Sequence, residues 1–204
     1  LDLDPGFVAD LFAPAWNYGV VGGRRFGLPF NTSTPVLFYN LDVFRAKGLE
    51  APRDWRAFER TALALTSRAA KGFIFVTDPQ AWLFEAMVTS RGGSLVQDDR
   101  PNFTSREAVA ALEMLYRLKE AGALSVRSMA EATFAQLDFV RTKGMMVMAS
   151  IANWPAAENF SFAFALGVAP VPREEGGKVP MGGAQAVMVV APPTRLPDLL
   201  AGLK

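Results

Sequence analysis

Short, continuously apolar runs recur along the chain, and stretches with helical patterning separate them. Five runs predict strands, at residues 36–39, 72–76, 145–149, 164–168 and 184–190. They lack the strict alternation of a strand with one face in water, so we expect most of them to be buried on both faces by helices. Strands that alternate with helices are typical of an α/β fold. The sequence therefore predicts that fold class, with residues 1–204 as a single domain.

Capping residues predict where the intervening helices begin. Thr104 with Glu107, and Ser128 with Glu131, match the capping box, in which a hydroxyl and a carboxylate satisfy backbone amides of the first turn. Further helix starts are predicted at Asp4, as the N-cap before Pro5, and at Asp42, Asp54 and Asp78. The Pro- and Gly-rich stretch 170–183 is predicted to be an exposed loop before the last strand.

The composition excludes several kinds of chemistry. There is no cysteine and no histidine, which rules out thiol nucleophiles, zinc fingers and histidine-dependent catalysis. The carboxylates are dispersed, so neither a catalytic pair nor a metal site is predicted, and no cofactor is expected. With 21 Lys and Arg against 20 Asp and Glu, the net charge of +1 gives no field that would recruit nucleic acid. No apolar run approaches the length of a membrane-spanning helix.

A row of polar side chains, Asn31, Thr32, Ser33 and Thr34, precedes the first predicted strand. Hydroxyl and amide groups in a loop between strands can hydrogen-bond a polyol or a phosphate. The same residues could equally form a turn and a cap. The residues alone leave both interpretations open.

Three other places could contact a ligand. Trp82 near a helix start could stack on a sugar ring, although a single tryptophan in an amphipathic helix is more often part of the core. Ser150 and Trp154 follow an apolar strand, where they could face a ligand or simply end the strand and pack inward. Gly182 and Gly183 would let backbone amides approach a ligand, or would form a tight entry into the last strand.

Six motifs along the chain occur in an order that resembles a known family. They are FGLPFNTSTPVLFYNLDVFRAKGL at 26–49, PRDWRAFERTALALT at 52–66, GGSLV at 92–96, FVRTKGMMVM at 139–148, LGVAPVP at 166–172 and MGGAQAVMV at 181–189. The first is specific, and the others gain weight from their order and spacing. Together they resemble the extracellular solute-binding proteins of ABC importers, a group that includes glycerol-3-phosphate and maltose binders.

The resemblance implies a type II periplasmic-binding-protein-like fold, in which two α/β lobes close over a solute held in the cleft between them. The chain would span mainly the second lobe, with hinge or inter-lobe segments at 27–40 and 164–190. The implied solute is glycerol 3-phosphate, a related glycerophosphodiester or a sugar. A mono- or oligosaccharide binder of the same family is the alternative. A second alternative is an α/β enzyme that acts on a small phosphorylated or glycosidic substrate.

The resemblance also assigns roles to residues. It places ligand contacts on Ser33, Trp82, Ser150, Gly182 and Gly183, with Asn31, Thr34 and Trp154 as further candidates. Trp154 departs from glycerol-3-phosphate binders and is similar to the aromatic residues of sugar binders.

The implied role is capture without turnover, with a small solute and the membrane permease subunits of an ABC importer as partners. We expect a monomer in the periplasm or outside the cell, and a lipid anchor is left open. The chain begins at Leu1 with no signal peptide, so its start is expected to be cut.

Overall fold

The computed structural model describes residues 5–17, 19–77, 81–160, 163–180 and 182–188. The α-helices are α1 Pro5–Ala9, α2 Ala13–Asn17, α3 Leu41–Ala46, α4 Trp55–Leu65, α5 Trp82–Thr89, α6 Arg106–Glu120, α7 Ala132–Val140 and α8 Trp154–Phe160. Short 3-10 helices at Met129–Glu131 and Ile151–Asn153 precede α7 and α8. Within these ranges, every helix is too short or too polar to cross a bilayer.

The strands are mostly short. They are β1 Val20–Val21, β2 Arg24–Arg25, β3 Gly27–Ser33, β4 Pro35–Asn40, β5 Phe73–Thr77, β6 Val96–Gln97, β7 Arg100–Pro101, β8 Leu124–Ser128, β9 Met146–Ser150, β10 Leu166–Pro170 and β11 Gly182–Met188. The chain divides into two compact units, one of residues 1–33 with 181–204 and the other of residues 34–180.

A five-stranded sheet forms the centre of the unit 34–180, in the order β10–β4–β9–β5–β8. Strand β5 is parallel to β8 and β9, whereas β4 is antiparallel to both β9 and β10. Helices lie in sequence between most of these strands. This arrangement confirms the predicted α/β fold class.

Both faces of this sheet are buried, as the apolar runs predicted. Phe73 packs into a large cluster with residues of α4, α5 and α6. Its neighbour Ile74 points the other way, into a smaller cluster with Ala135 and Phe139 of α7. Phe73 and Ile74 are fully buried, and full burial of a side chain of this size contributes about 1.5–3 kcal/mol. Burial on both faces explains why the strands are continuously apolar rather than alternating.

The other unit contains an antiparallel pair of strands, β3 and β11, in which Gly182 lies opposite Ser33 and Gln185 lies opposite Asn31. The Arg25 guanidinium lies 3.3 Å from the centre of the Trp16 ring and donates a hydrogen bond to the Trp16 carbonyl oxygen at 2.6 Å. These contacts attach the β1–β2 hairpin to α2. They combine a cation–π interaction with a charge-assisted hydrogen bond.

One predicted helix start and one predicted capping box are confirmed. The Asp54 carboxylate accepts a hydrogen bond from the Ala57 backbone amide at 2.6 Å, at the start of α4. At the start of the 3-10 helix before α7, the Glu131 carboxylate accepts from the backbone amide of Ser128 at 3.0 Å and from its hydroxyl at 2.9 Å. These hydrogen bonds lower the pKa of Glu131.

Three predicted helix starts are wrong. Helix α3 begins after Asn40, whose side-chain oxygen accepts from the Val43 amide at 3.0 Å, and Asp42 lies within its first turn. Helix α6 is capped by Ser105 rather than Thr104. Helix α5 begins at Trp82 instead of Asp78, which lies outside the described residues. Several neighbouring side chains before α3 and α6 can cap, and the path of the chain into the helix selects one of them. Helix α5 has Ala81 at its N-cap and no side-chain cap. Helix α1 includes Pro5 and ends at Ala9, and the predicted cap Asp4 is also outside the described residues.

The predicted strands correspond to β4, β5, β9, β10 and β11 within two residues at each described end, and residues 189–190 lie outside the described ranges. Six of the described strands were not predicted: the two-residue strands β1, β2, β6 and β7, and the longer strands β3 and β8. Residues 31–33, interpreted as a loop, belong to β3, because β11 from the far end of the sequence supplies their backbone partners. Strand β8 lies at an edge of the sheet, and its residues alternate between buried and more exposed. It was missed because its polar residues resemble those of a turn.

Candidate functional site

The carboxyl ends of three parallel strands meet at one edge of the central sheet. Strands β5, β8 and β9 end there in Thr77, Ser128 and Ser150. Because β4 runs in the opposite direction, its first residue, Pro35, pairs with Ser150, and Thr34 lies at the same edge. Open α/β sheets bind their ligands outside the carboxyl ends of parallel strands. This edge is therefore the candidate site of the unit 34–180.

Ser150 has a structural role at this edge. Its hydroxyl oxygen accepts a hydrogen bond from the Ala152 amide at 3.1 Å and so caps the 3-10 helix 151–153. The Thr34 carbonyl oxygen accepts from the Ile151 amide at 2.9 Å. These two bonds fix the turn from β9 toward α8 and bring two of the predicted site residues, Thr34 and Ser150, together.

A cavity of about 360 Å³ lies at this edge, between the sheet and helices α7 and α8. Its size falls within the range of small-molecule binding pockets. The described lining residues are Phe38, Val76, Trp82, Leu83, Met129, Ala132, Thr133, Ala135, Gln136, Leu137, Phe139, Val140, Val147, Met148, Ala149, Ser150, Asn153, Ala156 and Ala157. Two of the predicted contacts, Trp82 and Ser150, are among them.

Trp82 combines the two roles that the sequence left open. It lies at the first position of α5, is half-buried, and packs against the large apolar cluster. It also lines the cavity. The residue before it, Ala81, has a left-handed backbone with φ 53°, which turns the chain sharply into α5. The Trp82 side chain therefore lines the cavity and also packs against the apolar core.

Trp154 does not occur among the described residues that line the cavity. Its ring centre lies 6.5 Å from that of Phe38, tilted by 48°, and its indole N–H donates to the Glu158 carboxylate at 3.1 Å. Phe38 is itself a lining residue. Trp154 thus packs beside a wall of the cavity and fastens the first turn of α8.

The remaining predicted contacts lie in the other unit. Asn31 and Ser33 lie in β3, and Gly182 and Gly183 begin β11, with Gly182 directly opposite Ser33. The structure thus brings the predicted residues together in two groups, one in each unit. Nowhere in the described ranges do three or more acidic side chains gather as metal ligands would.

Positive charge clusters at the opposite edge of the central sheet. A second cavity, of about 280 Å³, is lined by Arg68, Lys71, Arg127 and Lys143 together with Asp138. Lys71 and Lys143 precede β5 and β9, so they lie at the amino ends of these strands. Arg127 pairs with Asp138 at 2.6 Å, and this hydrogen bond raises the pKa of Arg127.

Sequence reasoning missed the wall of the cavity that α7 provides. Thr133 and Gln136 lie one turn apart on this helix, and both line the cavity. Their i, i+3 spacing is the signal in the sequence that could have placed both on one face of this helix.

The sequence model of the family described as bacterial extracellular solute-binding protein matches residues 1–192. The chain belongs to this family. Among curated relatives, the sn-glycerol-3-phosphate-binding periplasmic protein UgpB of Escherichia coli K12 is 29% identical over 114 residues, which are 50% of this chain and 26% of that protein. The chain thus aligns with about a quarter of this relative's length.

Solved structures of solute-binding proteins share the fold. UgpB from Mycobacterium tuberculosis in complex with glycerophosphocholine matches with a TM-score of 0.78 at 18% identity, over 96% of this chain and 52% of that one. The galacto-N-biose-/lacto-N-biose I-binding protein of Bifidobacterium longum matches with a TM-score of 0.79 at 19% identity, over 97% and 51%. The fold is therefore periplasmic-binding-protein-like, and the chain spans about half of these solute-binding proteins.

Proposed function

We propose that the protein captures a small solute for an ABC importer and does not transform it. The observation that carries this proposal is the cavity containing Trp82 and Ser150, which lies at the ligand-binding edge of the sheet in a member of a solute-binding family. Solute recognition by such a pocket uses a largely apolar wall and a few directed polar groups. The lining has this composition.

The chain would form mainly the second lobe of a two-lobe protein. Its coverage of about half of the solved relatives supports this proposal. The boundaries between the two compact units, after residues 33 and 180, fall inside the segments 27–40 and 164–190 that we assign to the hinge. In such proteins, lobe closure over the solute creates the form that a transporter recognises.

The proposed solute is glycerol 3-phosphate, a related glycerophosphodiester or a sugar. The Escherichia coli relative is an sn-glycerol-3-phosphate-binding protein, which supports the first of these. The two solved relatives are in complex with glycerophosphocholine and with lacto-N-biose, which supports the other two. The proposed contacts are Ser33, Asn31, Thr34, Trp82, Ser150, Trp154, Gly182 and Gly183. Membrane permease subunits would be the macromolecular partner of a monomer in the periplasm or outside the cell, with or without a lipid anchor.

A thermal-shift screen of the complete protein tests the proposal. The panel contains glycerol 3-phosphate, its diesters, and mono- and disaccharides. A bound solute at 100 times its Kd would stabilise the folded state by about 2.7 kcal/mol. Absence of any shift across the panel would contradict the proposal, and so would conversion of a compound that does bind.

The proposed wall residue gives a sharper test. We expect Trp82→Ala to weaken binding of the solute found in the screen at least tenfold by calorimetry, because it removes the aromatic wall. Tyr116→Ala is the control, since this exposed aromatic residue of α6 does not line the cavity. Equal affinities of Trp82→Ala and the wild type would refute the role of the ring.

A further inference from the structure

We propose that the solute carries an uncharged, largely apolar group, and that the cavity beside Trp82 and Ser150 takes this group. The inference rests on the proposed function and makes it more specific. It assigns binding of the uncharged, apolar part of the solute to the unit 34–180.

The floor of the cavity is apolar. Its most buried lining residues are Leu83, Phe38, Phe139, Met148 and Ala135, none of which is more than 6% exposed. A water molecule against this surface would find no hydrogen-bond partner there. An apolar group of the solute would replace that water favourably and leave no polar atom unsatisfied.

The polar lining residues lie at the rim. Thr133 and Gln136 are exposed, and Ser150 and Asn153 are half-buried. The rim also includes the exposed apolar residues Met129 and Leu137, so hydroxyl and amide groups share it with apolar side chains. An apolar floor with such a mixed rim fits a solute whose apolar end enters first and whose polar end remains near the opening.

Charge argues in the same direction. None of the described residues that line the cavity is charged, so a phosphate there would lose its hydration without gaining a cation. The clustered cations Arg68, Lys71 and Lys143 line the second cavity, at the opposite edge of the sheet. A phosphate, if the solute has one, would therefore be bound outside this cavity.

Two matched pairs of compounds test the inference by calorimetry on the complete protein. One pair is methyl and phenyl β-D-glucopyranoside, and the other is the methyl and phenyl diesters of glycerol 3-phosphate, with the methyl compound as the parent of each pair. Within each pair, the polar part and its charge are the same, and phenyl replaces methyl. In the pair whose parent binds, we expect the phenyl compound to bind at least tenfold more tightly, which corresponds to 1.4 kcal/mol.

Cavity-filling variants connect the gain to this cavity. Ala156→Leu from α8 and Ala132→Leu from α7 fill the space from two sides, and each should reduce the ratio of phenyl to parent affinity to less than threefold. Ala152→Leu is the control, because Ala152 is exposed and is not a lining residue. Thermal unfolding of each variant shows whether it is folded. If both folded variants lose the phenyl gain, the loss comes from filling the cavity and not from misfolding.

The outcomes separate this inference from the function on which it rests. Equal affinities within a pair whose parent binds would overturn the inference and leave the proposed function intact. A phenyl gain that survives both filling variants would overturn the assignment to this cavity. If none of the four compounds binds and the screen also finds no solute, the proposed function fails and the inference fails with it.

Discussion

One buried hydrogen bond connects α4 to the end of α5. The indole N–H of Trp55 donates to the Ser90 hydroxyl at 2.9 Å, and the hydroxyl in turn donates to the Met87 carbonyl oxygen at 3.3 Å. Ser90 is fully buried and Trp55 is only 3% exposed. Both groups lie in the unit that contains the cavity, and α5 begins with Trp82, so this bond supports a helix that forms part of the candidate site.

Ser90→Ala removes the acceptor and leaves the indole N–H unsatisfied in the core. Such a loss costs about 1–3 kcal/mol, more than the net value of an ordinary hydrogen bond, because the donor has given up water and gains nothing in return. With an m-value of about 2 kcal/mol/M in urea, the unfolding midpoint should fall by roughly 0.5–1.5 M. Trp55→Phe removes the donor instead, and the Ser90 hydroxyl keeps its bond to Met87.

The assay is urea unfolding followed by circular dichroism at 222 nm, which does not depend on the tryptophan that is replaced. The double variant should be more stable, by about 1 kcal/mol, than the sum of the two single losses predicts, since both partners are then gone. Ser125→Ala is the control, because in the described part of the chain its half-buried hydroxyl makes no hydrogen bond. A loss below 0.5 kcal/mol for Ser90→Ala, or strict additivity, would refute the reasoning.

Three further predictions concern local structure in the same unit. Ser105→Ala should lower the free energy of unfolding by about 1 kcal/mol and Thr104→Ala should not, because Ser105 caps α6; equal losses in urea unfolding would contradict the observed cap. Gly72→Ala should cost about 3 kcal/mol or more, since its Cβ would overlap the Ala62 carbonyl oxygen, and unchanged thermal unfolding would exclude that close approach. Burial lowers the pKa of Arg91 to about 10, so the unfolded chain holds this proton more tightly than the folded one, and the contribution of Arg91 to the free energy of unfolding rises as the pH increases through 10. Arg91→Met should flatten the increase in the free energy of unfolding between pH 9 and 11, and the same slope in the variant as in the wild type would contradict this prediction.

Contacts that are local in sequence made part of the secondary structure predictable. The capping box of Ser128 and Glu131 and the helix start at Asp54 each rest on residues three positions apart, a spacing that the sequence shows. The starts of α3 and α6 were misplaced by one or two residues, because neighbouring polar residues can each cap a helix and only the path of the chain selects among them. Strand β3 was missed because its partner β11 lies far away in the sequence.

The candidate site was predictable only in part. Trp82 and Ser150 could be proposed from a family resemblance, and the structure brings both to one cavity. The cap that Ser150 provides to Ala152, and the packing of Trp154 on Phe38, depend on the turn that follows β9. The spacing of Thr133 and Gln136 places them on one face of α7, but only the tertiary structure shows that this face lines the cavity.

The sequence by itself determined the α/β class and the family, and it excluded histidine and cysteine chemistry, because these depend on residue types and on their order along the chain. The tertiary structure decided which polar residues meet at the carboxyl ends of β5, β8 and β9. It also placed an uncharged cavity at that edge and the clustered cations at the other. Strand order and direction set these positions, and they result from pairing and packing between segments that are distant in sequence.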